Sequence, residues 1–237
     1  MTCHPSPWES QTLTGLALAT TEVDPRAAEL CGYAFVALSG SGQVTGQYAD
    51  VVATSGPIPD EAARIHEITT AMGRSPWAQR PEDASRHLAT ALFSLTTPLV
   101  VFNAPWAFSV LNAHASRHGI AAVTPSAPLI DPLVLDHMCQ HRAVSGNRTL
   151  PAVRGRWNLP PVAYGPPAPN AYAAVQLAST MIQMHPRLRS STPQELAQQC
   201  AQVHDATERD FQQYRRREGL APRRSEPWPV PTLAPAQ

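Results

Sequence analysis

Residues 98–106 read PLVVFNAPW: a continuous apolar run from Pro98 to Phe102, then Asn103, Ala104, Pro105 and Trp106. A run this short and this apolar suits a strand buried on both faces, and it is far too short to span a bilayer. Residues 106–118, stopped by Gly119, have the length and terminator of a helix. Working outward, LTGLAL at 13–18 is a second short apolar strand, followed by a polar turn. Residues 31–38 and 44–53 are strand-like runs on either side of Ser39-Gly40-Ser41-Gly42, whose glycines suit a hairpin turn. The chain therefore opens with a three-stranded meander. After Pro57-Ile58-Pro59 come a short helix over 60–65 and a second over 82–95, with Leu88, Ala91, Leu92 and Leu95 at helical spacing.

Beyond the central strand and helix, Leu129 and Ile130 lead into a helix over 133–140, and a further helix covers 170–184. Thr192-Pro193-Gln194-Glu195 is a capping box with Pro at the first helical position, so a long last helix starts there. Leu196, Cys200, Val203, Phe211 and Tyr214 form one apolar stripe along it, suited to lie across the main domain or a second copy of it. Past Gly219 the sequence is Pro-rich and expected to be irregular. Strands first, then helices alternating with strands, predict an α/β fold: a mixed sheet flanked by helices, with a C-terminal helical extension. The boundaries expected are an N-terminal segment at 1–10, the main domain at 11–184, the extension at 185–219 and the tail at 220–237.

Composition narrows the chemistry. The 237 residues carry 18 basic and 18 acidic side chains, and every basic one is Arg. With no Lys, Schiff-base chemistry and a phosphate-loop lysine are excluded. Zero net charge argues against coating nucleic acid by charge alone, so any such binding is local. The four cysteines at 3, 31, 139 and 200 make no CxxC clip, and the N-terminus shows neither a basic region nor an apolar core of a leader. These features predict a reduced, cytoplasmic protein with no membrane partner.

Three strings in order carry more than any one alone: LATTEVDP at 18–25 after a strand, PIP at 57–59 leading to IHEIT at 65–69, and VFNAPW at 101–106 ending the PLVVF strand. Together they resemble the DnaQ-like, or DEDDh, 3′–5′ exonuclease family, which includes the exonuclease domain of the DNA polymerase III epsilon subunit. The resemblance covers residues 11 to about 184. The tail, with FQQYRRR at 211–217 and Trp228-Pro229, resembles the extension of actinobacterial members. It implies an RNase H-like fold. Family members carry D-x-E on the first strand, HNAxFD at the second motif and a His followed five residues later by Asp at the third. In such enzymes the carboxylates hold two Mg or Mn ions that activate water, and the His is the general base.

This chain departs from the pattern at each position. D-x-E falls on Ala17 and Ala19, the second-motif Asp on Ala107, and the third-motif His and Asp on Pro169 and Ala174. No catalytic set and no metal cofactor are therefore expected. Glu22 and Asp24 lie in the turn past the strand and point elsewhere, and Asp131, in Ile130-Asp131-Pro132-Leu133, reads as a helix cap rather than a ligand.

Nucleic-acid contacts, if retained, fall on Thr20, Thr21, His66, Asn103, Trp106 and the cluster Arg215, Arg216, Arg217. Trp106 offers a stacking face; its alternative is packing under its own helix. The threonines alternatively cap their own turn, His66 alternatively ties down its loop, and the arginines alternatively complement a helix C-terminus. His137, Cys139 and His141 do not share one helical face, so they read as solvated rather than as a metal set. Three functions follow: a catalytically defective exonuclease homologue retained to bind single-stranded nucleic acid or a protein; an active metal-dependent 3′–5′ exonuclease using non-standard acids; or a structural subunit that dimerises or meets a protein through its C-terminal helix.

Overall fold

The computed structural model describes residues 8–139, 147–162 and 165–229. Strands β1 (Leu13–Thr20), β2 (Leu30–Leu38) and β3 (Val44–Val51) form the expected antiparallel meander. The β2–β3 turn closes through Ser39 and Gln43, with Gly42 at φ 82°, a conformation that favours glycine. Helices α1 (Asp60–His66), α2 (Thr70–Gly73) and α3 (Pro81–Ser94) follow. Strand β4 is only Leu99–Val100, parallel to β1, and α4 (Ala104–Arg117) begins almost at once. Strand β5 (Leu129–Ile130), α5 (Pro132–Cys139), α6 (Leu150–Arg156), α7 (Pro167–Met184), α8 (Pro186–Ser190) and α9 (Pro193–Arg217) complete the order. The sheet runs β3-β2-β1-β4-β5.

Alternation along the strands divides the core in two. Leu13 and Ala17 face the layer built on α7, whereas Leu16 and Leu18 face α3 and α4. Gly15 marks the closest approach: a Cβ there would lie 2.5 Å from the Ala171 carbonyl oxygen and 2.7 Å from Val175 Cγ2. Only glycine lets α7 cross β1 so closely. Ala19, at the end of β1, packs with Cys31, Ile58 and Ile68 in a small separate cluster.

Several sequence expectations need adjustment. The PLVVF run supplies only two strand residues, although Pro98 O and Val101 N extend the ladder by accepting from Thr14 and donating to Ile130. Helix α7 starts three residues before the expected Asn170, because Pro167 suits a first turn whose N–H groups have no helical acceptor. Helices α2, α6 and α8 leave no periodic signal in the sequence, because none exceeds 7 residues. Trp8, ahead of the expected domain start, belongs to the core, and its indole donates to Ser191 O. The stripe on α9 is buried only at its start: Leu196 and Cys200 are enclosed, while Tyr214 is 54% exposed. Residues 220–229 form no regular element, as expected, yet they fold back on the domain through Glu226 and Trp228. Among the described residues Cys31, Cys139 and Cys200 are free, and no helix is long and apolar enough to cross a membrane.

Candidate nucleic-acid interface

The end of β1, the start of α4 and the first turns of α7 carry the five positions at which the family resemblance puts catalytic groups. Ala19, Ala107 and Ala174 are buried, each 3% exposed or less, and Ala17 is half-buried against the α7 layer. Pro169 is exposed in the first turn of α7. Four methyl groups and a pyrrolidine ring offer no oxygen or nitrogen donor, so these residues do not fit a pair of hard divalent cations. Among the described residues no group of three or more His, Cys, Asp or Glu side chains is placed to hold a metal. His141 lies outside the described residues. His137 is exposed on α5 and Cys139 half-buried.

Asp131 is a buried acid at the start of α4, and it is fully engaged. Its Oδ1 accepts from Asn103 N at 3.0 Å and Leu133 N at 2.9 Å, and its Oδ2 from Ala104 N at 2.8 Å. One carboxylate thus caps the starts of both α4 and α5. Burial pushes its pKa up to about 6; the three N–H donors and the nearby His204 pull the other way and lose. The local reading of a helix cap holds, and the fold adds a second helix. Glu22 is exposed, and Asp24 turns its carboxylate onto Arg26 N at 3.0 Å, within its own loop.

Thr20 Oγ1 donates to Glu22 O at 2.9 Å, and Thr21 Oγ1 accepts from Glu29 N at 2.9 Å, so both hydroxyls serve their own loop. His66 is 6% exposed, and its Nδ1 accepts from Ile68 N. Burial lowers its pKa, which keeps the ring neutral near pH 7. Glu67, next in the chain, sits at φ 63°, a left-handed conformation that ends α1. Asn103 is exposed at φ 59° just before α4, and its side-chain amide bonds no described residue. Trp106 is half-buried, and its indole N–H donates to Val23 O at 2.9 Å, tying α4 to the loop after β1. Tyr172 packs against the α7-side core and accepts from Gln176 Nε2 at 2.8 Å.

Arg215 and Arg216 bond within α9 and the segment just after it. Arg215 donates to Ala221 O at 2.7 Å and covers the Phe211 ring, with its guanidinium carbon 5.8 Å from the ring centroid. Arg216 turns back to Gln212 O, and Arg217 is exposed at the end of α9. Sequence reading passed over two features. Arg154, almost fully buried, donates to Pro160 O, Ala173 O and Gln176 Oε1, holding the segment after α6 against α7. Arg26 forks onto Glu226 at 2.7 and 3.0 Å, and Glu226 also accepts from Ser109 Oγ at 2.6 Å. No local signal joins residues 26, 109 and 226; only the fold does.

Solved structures share this architecture. The chain is similar to exonuclease I at a TM-score of 0.63 and 13% identity, over 75% of this chain and 42% of that one. The fold is RNase H-like, of the exonuclease type. It is similar to E. coli exonuclease I in complex with a dT13 oligonucleotide at a TM-score of 0.62 and 14% identity, over 75% and 42%. A complex described as ExoI/SSB-Ct gives a TM-score of 0.60 and 14% identity, over 76% and 42%. The chain thus spans less than half the length of these structures. No protein-family model matches it. No curated protein sequence matches it either. At this identity the likeness establishes the exonuclease-type fold and nothing about chemistry.

Proposed function

We propose that this protein is a catalytically defective exonuclease-type domain that holds single-stranded nucleic acid without cutting it. One observation carries the reading. The end of β1 and the starts of α4 and α7 carry methyl groups at Ala17, Ala19, Ala107 and Ala174, and Asp131, the buried acid that bonds the start of α4, is spent on two helix starts. A two-cation reaction needs several carboxylates on one spot. Removing them also removes their repulsion of a phosphate, so binding no longer requires a metal. Asn103 and the ring of Trp106 at the start of α4 are the contacts favoured, since an unbonded amide and an aromatic face suit an unpaired base. That exonuclease I forms a complex with an oligonucleotide supports the choice of ligand class.

The distal half of α9, with Tyr214 exposed, and Leu220 exposed just beyond it favour a second reading in which the extension meets a protein partner or a second copy. One experiment separates the readings: the fluorescence anisotropy of a 5′-labelled single-stranded oligonucleotide, followed over time with and without manganese. A stable rise that salt reverses is expected. A manganese-dependent fall below the starting value, abolished by EDTA, would establish a working nuclease and end the proposal. No change in either condition would leave the protein-partner reading.

A further inference from the structure

The segment of residues 225–229 occupies a site that its own chemistry does not explain. Glu226 lies with its carboxylate in the fork of Arg26 and against the Ser109 hydroxyl, three hydrogen bonds of 2.6 to 3.0 Å. Burial would raise the Glu226 pKa, but the Ser109 and Arg26 bonds outweigh it and hold the carboxyl below its usual range. Two residues on, the Trp228 ring packs against both core layers and lies 5.4 Å from the ring of His204 on α9. Between these anchors the tail is attached by side chains alone. Among the described residues no backbone–backbone hydrogen bond joins residues 221–229 to the domain.

The receiving side, in contrast, is built. Arg26 stands in the loop after β1, which is pinned at its base by Thr21 and Glu29, capped by Asp24 onto Arg26 N, and clamped by Arg117, whose Nη2 donates to Arg26 O and Ala28 O at 2.6 and 2.8 Å. Ser109 sits one turn along α4 from Trp106, whose indole bonds Val23 in the same loop. A rigidly presented guanidinium fork with an adjacent hydroxyl matches a phosphate as well as a carboxylate. It faces the same side of α4 as the base-stacking residue proposed above.

We propose that Arg26 and Ser109 form a phosphate site for single-stranded nucleic acid, and that the chain's own Glu226 occupies it as a tethered competitor. The proposal rests on the nucleic-acid reading for its ligand but not for its site. The pair is partly solvated, with side-chain exposures of 37% for Arg26 and 17% for Glu226, so the tail is displaceable rather than sealed in. If the site is open about one-tenth of the time, freeing it tightens binding about tenfold.

The test uses the full chain in four forms: unaltered, Glu226→Gln, Arg26→Gln and the double variant. Each is titrated with a labelled dT oligonucleotide by anisotropy and with inorganic phosphate by calorimetry. Glu226→Gln is expected to bind the oligonucleotide about five to ten times more tightly, and the gain is expected to vanish when Arg26→Gln is also present. An unchanged affinity overturns the proposal. So does a gain of equal size in the Arg26→Gln background, which would report loss of an acid in general. If no form binds the oligonucleotide, yet phosphate binds Glu226→Gln and not the double variant, the anion site stands with free phosphate as its ligand and the nucleic-acid reading falls. Binding of neither probe ends both.

Discussion

At the scale of single residues the chain balances burial against hydrogen bonding, and Asp131 shows which wins. Its carboxylate accepts three backbone N–H bonds, yet burial lifts its pKa to about 6, against about 3.9 for an unfolded Asp. A carboxyl that binds its proton more tightly when folded contributes stability in full below about pH 4. That contribution is lost as the pH rises through about 6, and the difference amounts to about 3 kcal/mol. Urea denaturation of the unaltered chain should therefore show stability falling between pH 4 and 6, with Asp131→Asn flattening that segment. Equal slopes in the two proteins would show that burial and the three N–H donors cancel, and a stability that rises with pH relative to Asp131→Asn would show that the donors win. The capping role was legible, since an Asp followed by Pro and an apolar run marks a helix start. That the same side chain also caps α4, 28 residues earlier, was not, because nothing in either segment names the other.

At the scale of elements, close approach and partial burial decide the energetics. Gly15 gives α7 its seat on β1, and the first atom a Cβ would meet is the Ala171 carbonyl oxygen, which cannot swing aside as a side-chain tip can. Gly15→Ala is expected to cost about 2 kcal/mol or more, read as a lowered urea midpoint; a cost under about 0.5 kcal/mol would mean that α7 shifts freely. Helix α9 divides into two halves. Leu196→Ala should cost about 3 kcal/mol because its side chain is wholly enclosed, whereas Tyr214→Ala should stay within about 0.5 kcal/mol. A large loss at Tyr214 would point to a second copy covering that half, and the loss would then depend on protein concentration. The capping box that starts α9 was plain in the sequence and is present in full, Thr192 Oγ1 accepting from Glu195 N and Glu195 Oε2 accepting from Thr192 N. The apolar stripe was equally plain. Which part of it would be covered depended on where the helix leaves the edge of the sheet.

At the scale of the whole molecule, 18 arginines against 18 acids leave no net field, so attraction to nucleic acid comes from a few placed guanidinium groups. If about three phosphates are neutralised, by Arg26 and the end of α9, the logarithm of the binding constant should fall with the logarithm of salt at a slope of about −2. A slope near zero, measured by anisotropy from low to physiological salt, would show that the binding is not phosphate-led. The sequence alone determined the order and kind of the main elements, because alternation, helical spacing and caps are written within a few neighbouring residues. It also determined which donor atoms the chain lacks, since an alanine has none in any fold. Only the tertiary structure decided the β3-β2-β1-β4-β5 order, the burial of Ala19, Ala107 and Ala174, and the meeting of Arg26, Ser109 and Glu226. Those facts join residues as many as 200 positions apart, and such contacts are set by how packed layers come together, which no local pattern records.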